Sequence, residues 1–311
     1  MKKETLKSES ILLLVAVIWG LAFVAQRAGM EYVGPFTFNG IRFFLGALSL
    51  TPFLVSLRGR TRPSVSGRME YTRIELLKNG LFASIFLFGG ISFQQVGLVY
   101  TTAGKAGFIT GLYVILVPIL GMVLKRNRTG LNTWIGAILA ATGMYLLSVT
   151  QDFTIAFGDF LELLCAFCFA AHVIIIDDLS NRFHTADLAF IQCAACSIIS
   201  MAVALAFEII TLDGILMAAI PIFYGGVFSV GIAYTLQIYG QKNSHPSHAA
   251  IILSLESLFA ALGGWIILNE IMSARSITGC ALMMAGMLIS QLLRNGDRKV
   301  SALEIERGQG L

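Results

Sequence analysis

Apolar and polar positions along the chain alternate in blocks, not residue by residue. Ten long apolar runs fall at 10–26, 35–57, 78–97, 103–124, 133–149, 158–178, 186–210, 221–240, 248–268 and 274–293, with short polar segments between nearly all of them. Runs of about 20 apolar residues match the thickness of a bilayer core. Hydrocarbon cannot satisfy a bare backbone, so each run is predicted to be helical. A β-barrel would show alternating segments of about ten residues, which the chain lacks. The predicted class is an all-α polytopic membrane protein with ten transmembrane helices.

The second half repeats the first. Adding 143 to the residue number aligns residues 94–147 with the second half without a gap and gives ten identities, among them Gln94/Gln237, Leu112/Leu255, Gly136/Gly279 and Gly143/Gly286. Four of the ten are glycines, which sit where backbones approach closely. Five spans per half is an odd number, so the two five-helix repeats are expected to be inverted, as in many secondary transporters. The expected division is 1–150 for the first repeat, 151–296 for the second and 297–311 for a cytoplasmic tail.

Composition and charge sharpen this picture. Hydrophobic residues make up 56% of the chain and charged residues 13%, against roughly 25% charged in soluble domains. With the N-terminus placed in the cytoplasm, eighteen Lys and Arg fall inside, three (Arg27, Lys105, Arg275) outside and one, Arg42, within a span. That bias fixes the expected orientation, both termini cytoplasmic in the plasma membrane. Lys2, Lys3 and Lys7 before an apolar run imitate a signal peptide. Without a clean cleavage site, and with a counterpart opening the second repeat, the run is read as a retained span. The net charge of +4 is accounted for by these loops and calls for no nucleic acid.

Ionisable groups in hydrocarbon are costly and usually face protein or a wet cavity. Glu256 lies about eight residues into the ninth run. It is a candidate for proton coupling or for holding a substrate ammonium, or else a hydrogen-bonded structural glutamate. Arg42 can bind a substrate carboxylate or pair with Asp159 or Glu162; the structural pair is the expectation. His172 can titrate near neutral pH, although a packing histidine is expected. The repeat equivalents Gln94 and Gln237 are expected to line a cavity. Trp19, Phe23 and Gln26 share one helical face, suited to lipid or helix packing or to an apolar substrate. Tyr113 and Tyr234 are further cavity candidates. Pro118 should kink the fourth span and free the Val114 carbonyl. Two CxxC pairs, Cys165/Cys168 and Cys193/Cys196, lie in apolar helices and are read as small packing residues rather than metal ligands. No P-loop, dinucleotide fingerprint or nucleophile elbow occurs, so no cofactor is expected.

Trp19-Gly20, Arg42-Phe43, Gly104-Lys105-Ala106 through Pro118, Gly158-Asp159, Leu255-Glu256 and Asn269-Glu270 together resemble the drug/metabolite transporter superfamily, in particular its EamA-type ten-helix members. The similarity covers about residues 8 to 294. Ser257 stands where a proline often follows the glutamate, and Asn269 where a glycine often precedes the other. The resemblance implies a central cavity between the halves and export or exchange of a small metabolite, often an amino acid, by a secondary or facilitative route, with proton coupling open. Partners would be the small-molecule substrate and the lipid bilayer, with the chain a monomer or homodimer. A lipid or lipid-linked sugar flippase of the same superfamily and a membrane-embedded enzyme are the alternatives. Scattered polar groups on different helices favour a cavity lining over a catalytic cluster.

Overall fold

The computed structural model describes residues 2–59, 71–100, 103–125, 130–148, 157–242, 244, 246–268, 274–275, 277–279, 281–286 and 289. The tail at 297–311 and the Asn269-Glu270 pair lie outside the described residues, and the tenth apolar run is described only in pieces. Among the described residues every regular element is helical. Five helical stretches are long and apolar enough to cross a membrane: Leu6–Gly29, Arg73–Tyr100, Phe157–Arg182, Thr185–Phe207 and Ala219–Gln241. The protein is a multi-pass membrane protein.

Most predicted runs become single helices extended by a few polar residues. These are α1 (Lys2–Gly29), α2 (Pro35–Gly59), α3 (Arg73–Tyr100), α6 (Leu131–Ser148), α7 (Phe157–Arg182) and α8 (Thr185–Phe207). Three runs depart from a simple helix. The fourth splits into α4 (Ala103–Gly111) and α5 (Tyr113–Lys125). The eighth is composite: α9 (Leu212–Met217) and α10 (Ala219–Phe223) lead into a π-helix (Tyr224–Ala233) that continues as α11 (Tyr234–Gln241). The ninth splits into α12 (Pro246–Leu253) and α13 (Glu256–Leu268).

The fourth run is also interrupted ahead of Pro118. That proline lies inside α5, and the interruption is at Leu112. There the Leu112 amide donates to the Ile109 carbonyl at 3.1 Å, three residues back instead of four. The Leu255 amide makes the same tightened bond to the Ile252 carbonyl at 3.2 Å. Both residues of each pair are repeat equivalents at the offset of 143. Short 3₁₀ turns inside a long helix commonly mark functional hinges.

Two buried cores flank the bundle centre. One joins α1, α5, α6, α7, α12 and α13 around Val15, Val114, Val173 and Ile252. The other joins α2, α3, α7 and α8 around Phe43, Leu87, Ile176 and Leu188. Outward, large apolar side chains such as Leu48, Phe82, Ile138 and Ile198 are exposed, as a lipid-facing surface requires. Glycines set the closest approaches. A Cβ on Gly143 would fall 2.5 Å from the Gly279 carbonyl oxygen, and one on Gly286 would fall 2.6 Å from that of Gly136. As the number rises on α6 it falls on its neighbour, so these two segments run antiparallel.

The start of α2 is held by a side chain from the end of α8. The Glu208 carboxylate accepts from the Phe36 and Thr37 amides at 2.8 and 2.7 Å and from the Thr37 hydroxyl at 2.7 Å. The first amides of a helix have no partner within it, and its dipole favours an anion there. Glu208→Ala is expected to lower stability by about 2 kcal/mol, read as a fall in the melting temperature of the detergent-solubilised protein. Glu208→Gln should lose less stability, because the amide keeps one acceptor oxygen.

Candidate functional site

Helices from both halves of the chain surround one cavity between the two cores. The space measures about 520 Å³ when the solvent in its open mouth is counted in. α1 contributes Trp19, Phe23 and Gln26; α2 contributes Arg42; α3 contributes Gln94; α5 contributes Tyr113. From the second half come Phe169, His172 and Val173 on α7, Ser229 on the π-helix, Tyr234 and Gln237 on α11, Leu253 on α12 and Glu256 on α13. All nine sequence candidates (Trp19, Phe23, Arg42, Gln94, Tyr113, His172, Tyr234, Gln237 and Glu256) thus border one space.

The broken helices place the central acid. Glu256 is the first residue of α13, directly after the interruption at Ser254 and Leu255. The interruption changes the face expected from an unbroken helix and turns this side chain toward Tyr113, the first residue of α5 after its own interruption. The Tyr113 hydroxyl lies beside the Glu256 carboxyl, without the alignment of a full hydrogen bond. Tyr113 and Glu256 are themselves repeat equivalents at the offset of 143. Close backbone contact fixes the position of α13: the Ser257 hydroxyl donates to the Gly107 carbonyl at 2.9 Å.

Arg42 is not held by the carboxylates expected to pair with it. Its guanidinium carbon lies 5.5 Å from the Phe38 ring centre and 5.3 Å from that of Phe43, a cation–π arrangement. Glu162 instead accepts from the Thr110 hydroxyl at 2.8 Å. The physical reason is helix rotation. Gly97 on α3 leaves room for the Glu162 carboxyl, which turns that side chain toward α3 and α4 and away from α2. Arg42 is buried, its Nε has no hydrogen-bond partner, and among the described residues it has no ion pair.

Aromatic groups form the walls. The Trp19 and Tyr234 rings are 4.9 Å apart, and those of Phe43 and Tyr234 5.9 Å. Trp19 Nε1 donates to the Ser229 carbonyl at 3.1 Å, and the Tyr224 hydroxyl donates to the Ile18 carbonyl at 3.1 Å. Of the two readings of the Trp19, Phe23 and Gln26 stripe, the structure sets it along the cavity. The amides remain under-used: Gln26 Oε1 and Gln237 Oε1 are buried without partners. His172 combines both sequence readings, since it borders the cavity and is also hydrogen-bonded to Gln192 at 2.6 Å. The four described cysteines are unpaired thiols, all buried except the half-buried Cys168.

Sequence reasoning singled out none of Phe169, Ser229 and Leu253 as cavity lining. The signal for Phe169 was its place one turn before His172 and Val173. For Leu253 no local signal exists, because its exposure to the cavity follows from the helix break.

The model of the EamA-like transporter family matches residues 6–149 and 156–292. The chain belongs to the EamA-like transporter family. This EamA-family protein is 35% identical over 285 residues to an Archaeoglobus fulgidus protein named as an uncharacterized transporter, covering 90% of this chain and 84% of the relative. It is 21% identical over 287 residues to the uncharacterized transporter YoaV of Bacillus subtilis, covering 89% and 94%. It is 23% identical over 295 residues to the chloroplastic WAT1-related protein At3g02690 of Arabidopsis thaliana, covering 90% and 68%. A protein of known crystal structure superposes with a TM-score of 0.75 at 18% identity over 92% of this chain and 97% of that one, so the two share a fold. Family and relatives make the protein a membrane transporter.

Proposed function

We propose that this EamA-family protein carries a small zwitterionic metabolite, an amino acid being the simplest, across the plasma membrane by alternating access. The observation that supports this most is Arg42 and Glu256 on one cavity wall, a buried cation and a carboxyl group with no ion-pair partner among the described residues. Arg42 takes the substrate carboxylate through its planar fork. Glu256 takes the ammonium. Trp19, Phe23 and Tyr234 enclose an apolar side chain, and Tyr113, His172, Gln94 and Gln237 supply further polar contacts.

The ten spans form two inverted halves in this reading. Under the offset of 143, the contact of Gly143 with Gly279 exchanges with that of Gly286 with Gly136. A contact that maps onto itself in this way is what an internal two-fold axis produces. Antiparallel partners place that axis in the membrane plane. Tyr113 and Glu256, equivalent and adjacent, lie near it. The matched hinges at Leu112 and Leu255 are where the halves rock, as discontinuous helices do in inverted-repeat transporters. Both termini are then cytoplasmic.

Counterflow in proteoliposomes tests this. Vesicles loaded with unlabelled amino acids are expected to accumulate labelled phenylalanine or leucine from outside transiently. No counterflow with any zwitterion, together with scrambling of a fluorescent phospholipid, would replace the reading with the flippase. In Glu256→Gln vesicles the pH dependence of flux is expected to flatten; an unchanged profile removes proton coupling from Glu256.

A further inference from the structure

Gln192 lies on α8, outside the cavity, and its only reach into that space is through His172. It is 2% exposed. Its Nε2 donates to the Leu188 carbonyl at 3.2 Å, one turn back on its own helix. Its Oε1 faces His172 Nε2 at 2.6 Å. These two contacts settle which way the amide points. Turned over, the amide would set its oxygen against the Leu188 carbonyl, two acceptors with no proton between them. The amide oxygen must therefore face the histidine, and the hydrogen of that short bond comes from His172 Nε2.

A neutral imidazole with its proton on Nε2 has a bare lone pair on Nδ1. Among the described residues Nδ1 has no hydrogen-bond partner, and His172 borders the cavity. The ring's hydrogen-bond partner is a neutral amide. The ionisable groups bordering the same space are Arg42 from α2, Tyr113 from α5, Tyr234 from α11 and Glu256 from α13. His172 is 2% exposed, and burying a charge without a carboxylate hydrogen-bonded to it is costly, so the neutral ring is the form considered.

Resting on the reading of this cavity as the substrate site, we propose that Gln192 is a positioning residue that locks His172 in the Nε2–H tautomer, so that Nδ1 accepts a hydrogen bond from the substrate. The site then selects metabolites that bring an N–H or O–H donor. A substrate offering the same charge without a donor leaves Nδ1 unpaired and binds less well. An offset near 150 sets Gln192 against Arg42 of the first half, yet its side chain is turned to a histidine instead of the cavity.

Nitrogen-15 magnetic resonance on histidine-labelled protein in liposomes, with His172→Gln used to assign the signal, reads the tautomer directly. Wild type is expected to show His172 protonated on Nε2 alone. Gln192→Leu is expected to give a mixture of tautomers, and Gln192→Glu to give an imidazolium. Competition against labelled phenylalanine supplies the second readout. Phenylalanine is expected to compete at least tenfold better than its N-trimethyl betaine in wild type, a preference that shrinks below threefold in Gln192→Leu while maximal flux changes little. A wild-type ring protonated on Nδ1, or a betaine preference unchanged in Gln192→Leu, overturns the proposal. If wild type moves neither phenylalanine nor any other amino acid, the transport reading fails, and the tautomer measurement still decides whether Gln192 sets the ring.

Discussion

Arg42→Met is expected to lower phenylalanine or leucine flux by about 100-fold or more, with the melting temperature of the protein close to that of wild type. Truncating one member of a buried charge contact costs about 2–5 kcal/mol of binding, and 100-fold corresponds to about 2.7 kcal/mol. Arg42 lies against ring faces and among the described residues has no ion pair, so its loss leaves no orphaned acid behind. Methionine fills the stem's volume beside Phe38 and Phe43. Arg42→Lys should recover little, because an ammonium lacks the two-pronged geometry that matches a carboxylate. Were Arg42 a structural residue, the outcome would reverse: stability would drop sharply, and surviving protein would transport normally. Flux and thermal melting measured on the same preparations separate the two.

Gly20→Val is expected to have the other large effect, on folding and transport together. A Cβ on Gly20 would fall 2.5 Å from the Phe259 Cβ, 2.7 Å from the Glu256 carbonyl oxygen and 2.8 Å from the Ala260 amide nitrogen. Two of these are backbone atoms of α13, which cannot rotate away. α1 and α13 must separate, and the carboxyl of Glu256 moves with α13. Overpacking of this kind costs about 1–3 kcal/mol or more, seen as a lower melting temperature and loss of flux even in folded material. Gly121→Ala is the control. Nothing lies within 4 Å of a Cβ there, and alanine is the better helix former by up to about 1 kcal/mol. It should be neutral or stabilising.

The helices were legible because a backbone in hydrocarbon has one open-ended way to satisfy itself. The cavity residues were legible for a related reason: in so oily a chain, Glu256, Arg42, His172 and the paired glutamines cannot all face lipid. The helix breaks were not. Gly111 directly precedes the break at Leu112, but a glycine inside an apolar run also serves helix packing, and no glycine or proline stands at Ser254-Leu255. α4 packs against α13 and α5 against α12 at these breaks, contacts that no local window contains. The π-helix was hidden for a similar reason. Its glycines mark a close helix contact, since a Cβ on Gly226 would meet the Leu45 Cβ at 2.6 Å. The widened turn itself leaves no mark on the hydropathy. Arg42's partner also depended on the rotation of α7, which Gly97 and Thr110 set from other helices.

Cysteine accessibility at the cavity wall tests the central claim most directly. Phe23→Cys, in a background with every native cysteine replaced, is reconstituted in one orientation and treated with a membrane-impermeant maleimide from either side. Alternating access predicts labelling from one face without substrate, and a shift of labelling toward the other face when amino acid is added. Labelling from both faces at equal rates whatever the substrate would mean an open channel, and a cysteine protected from both faces throughout would mean that this space is sealed packing with no part in transport.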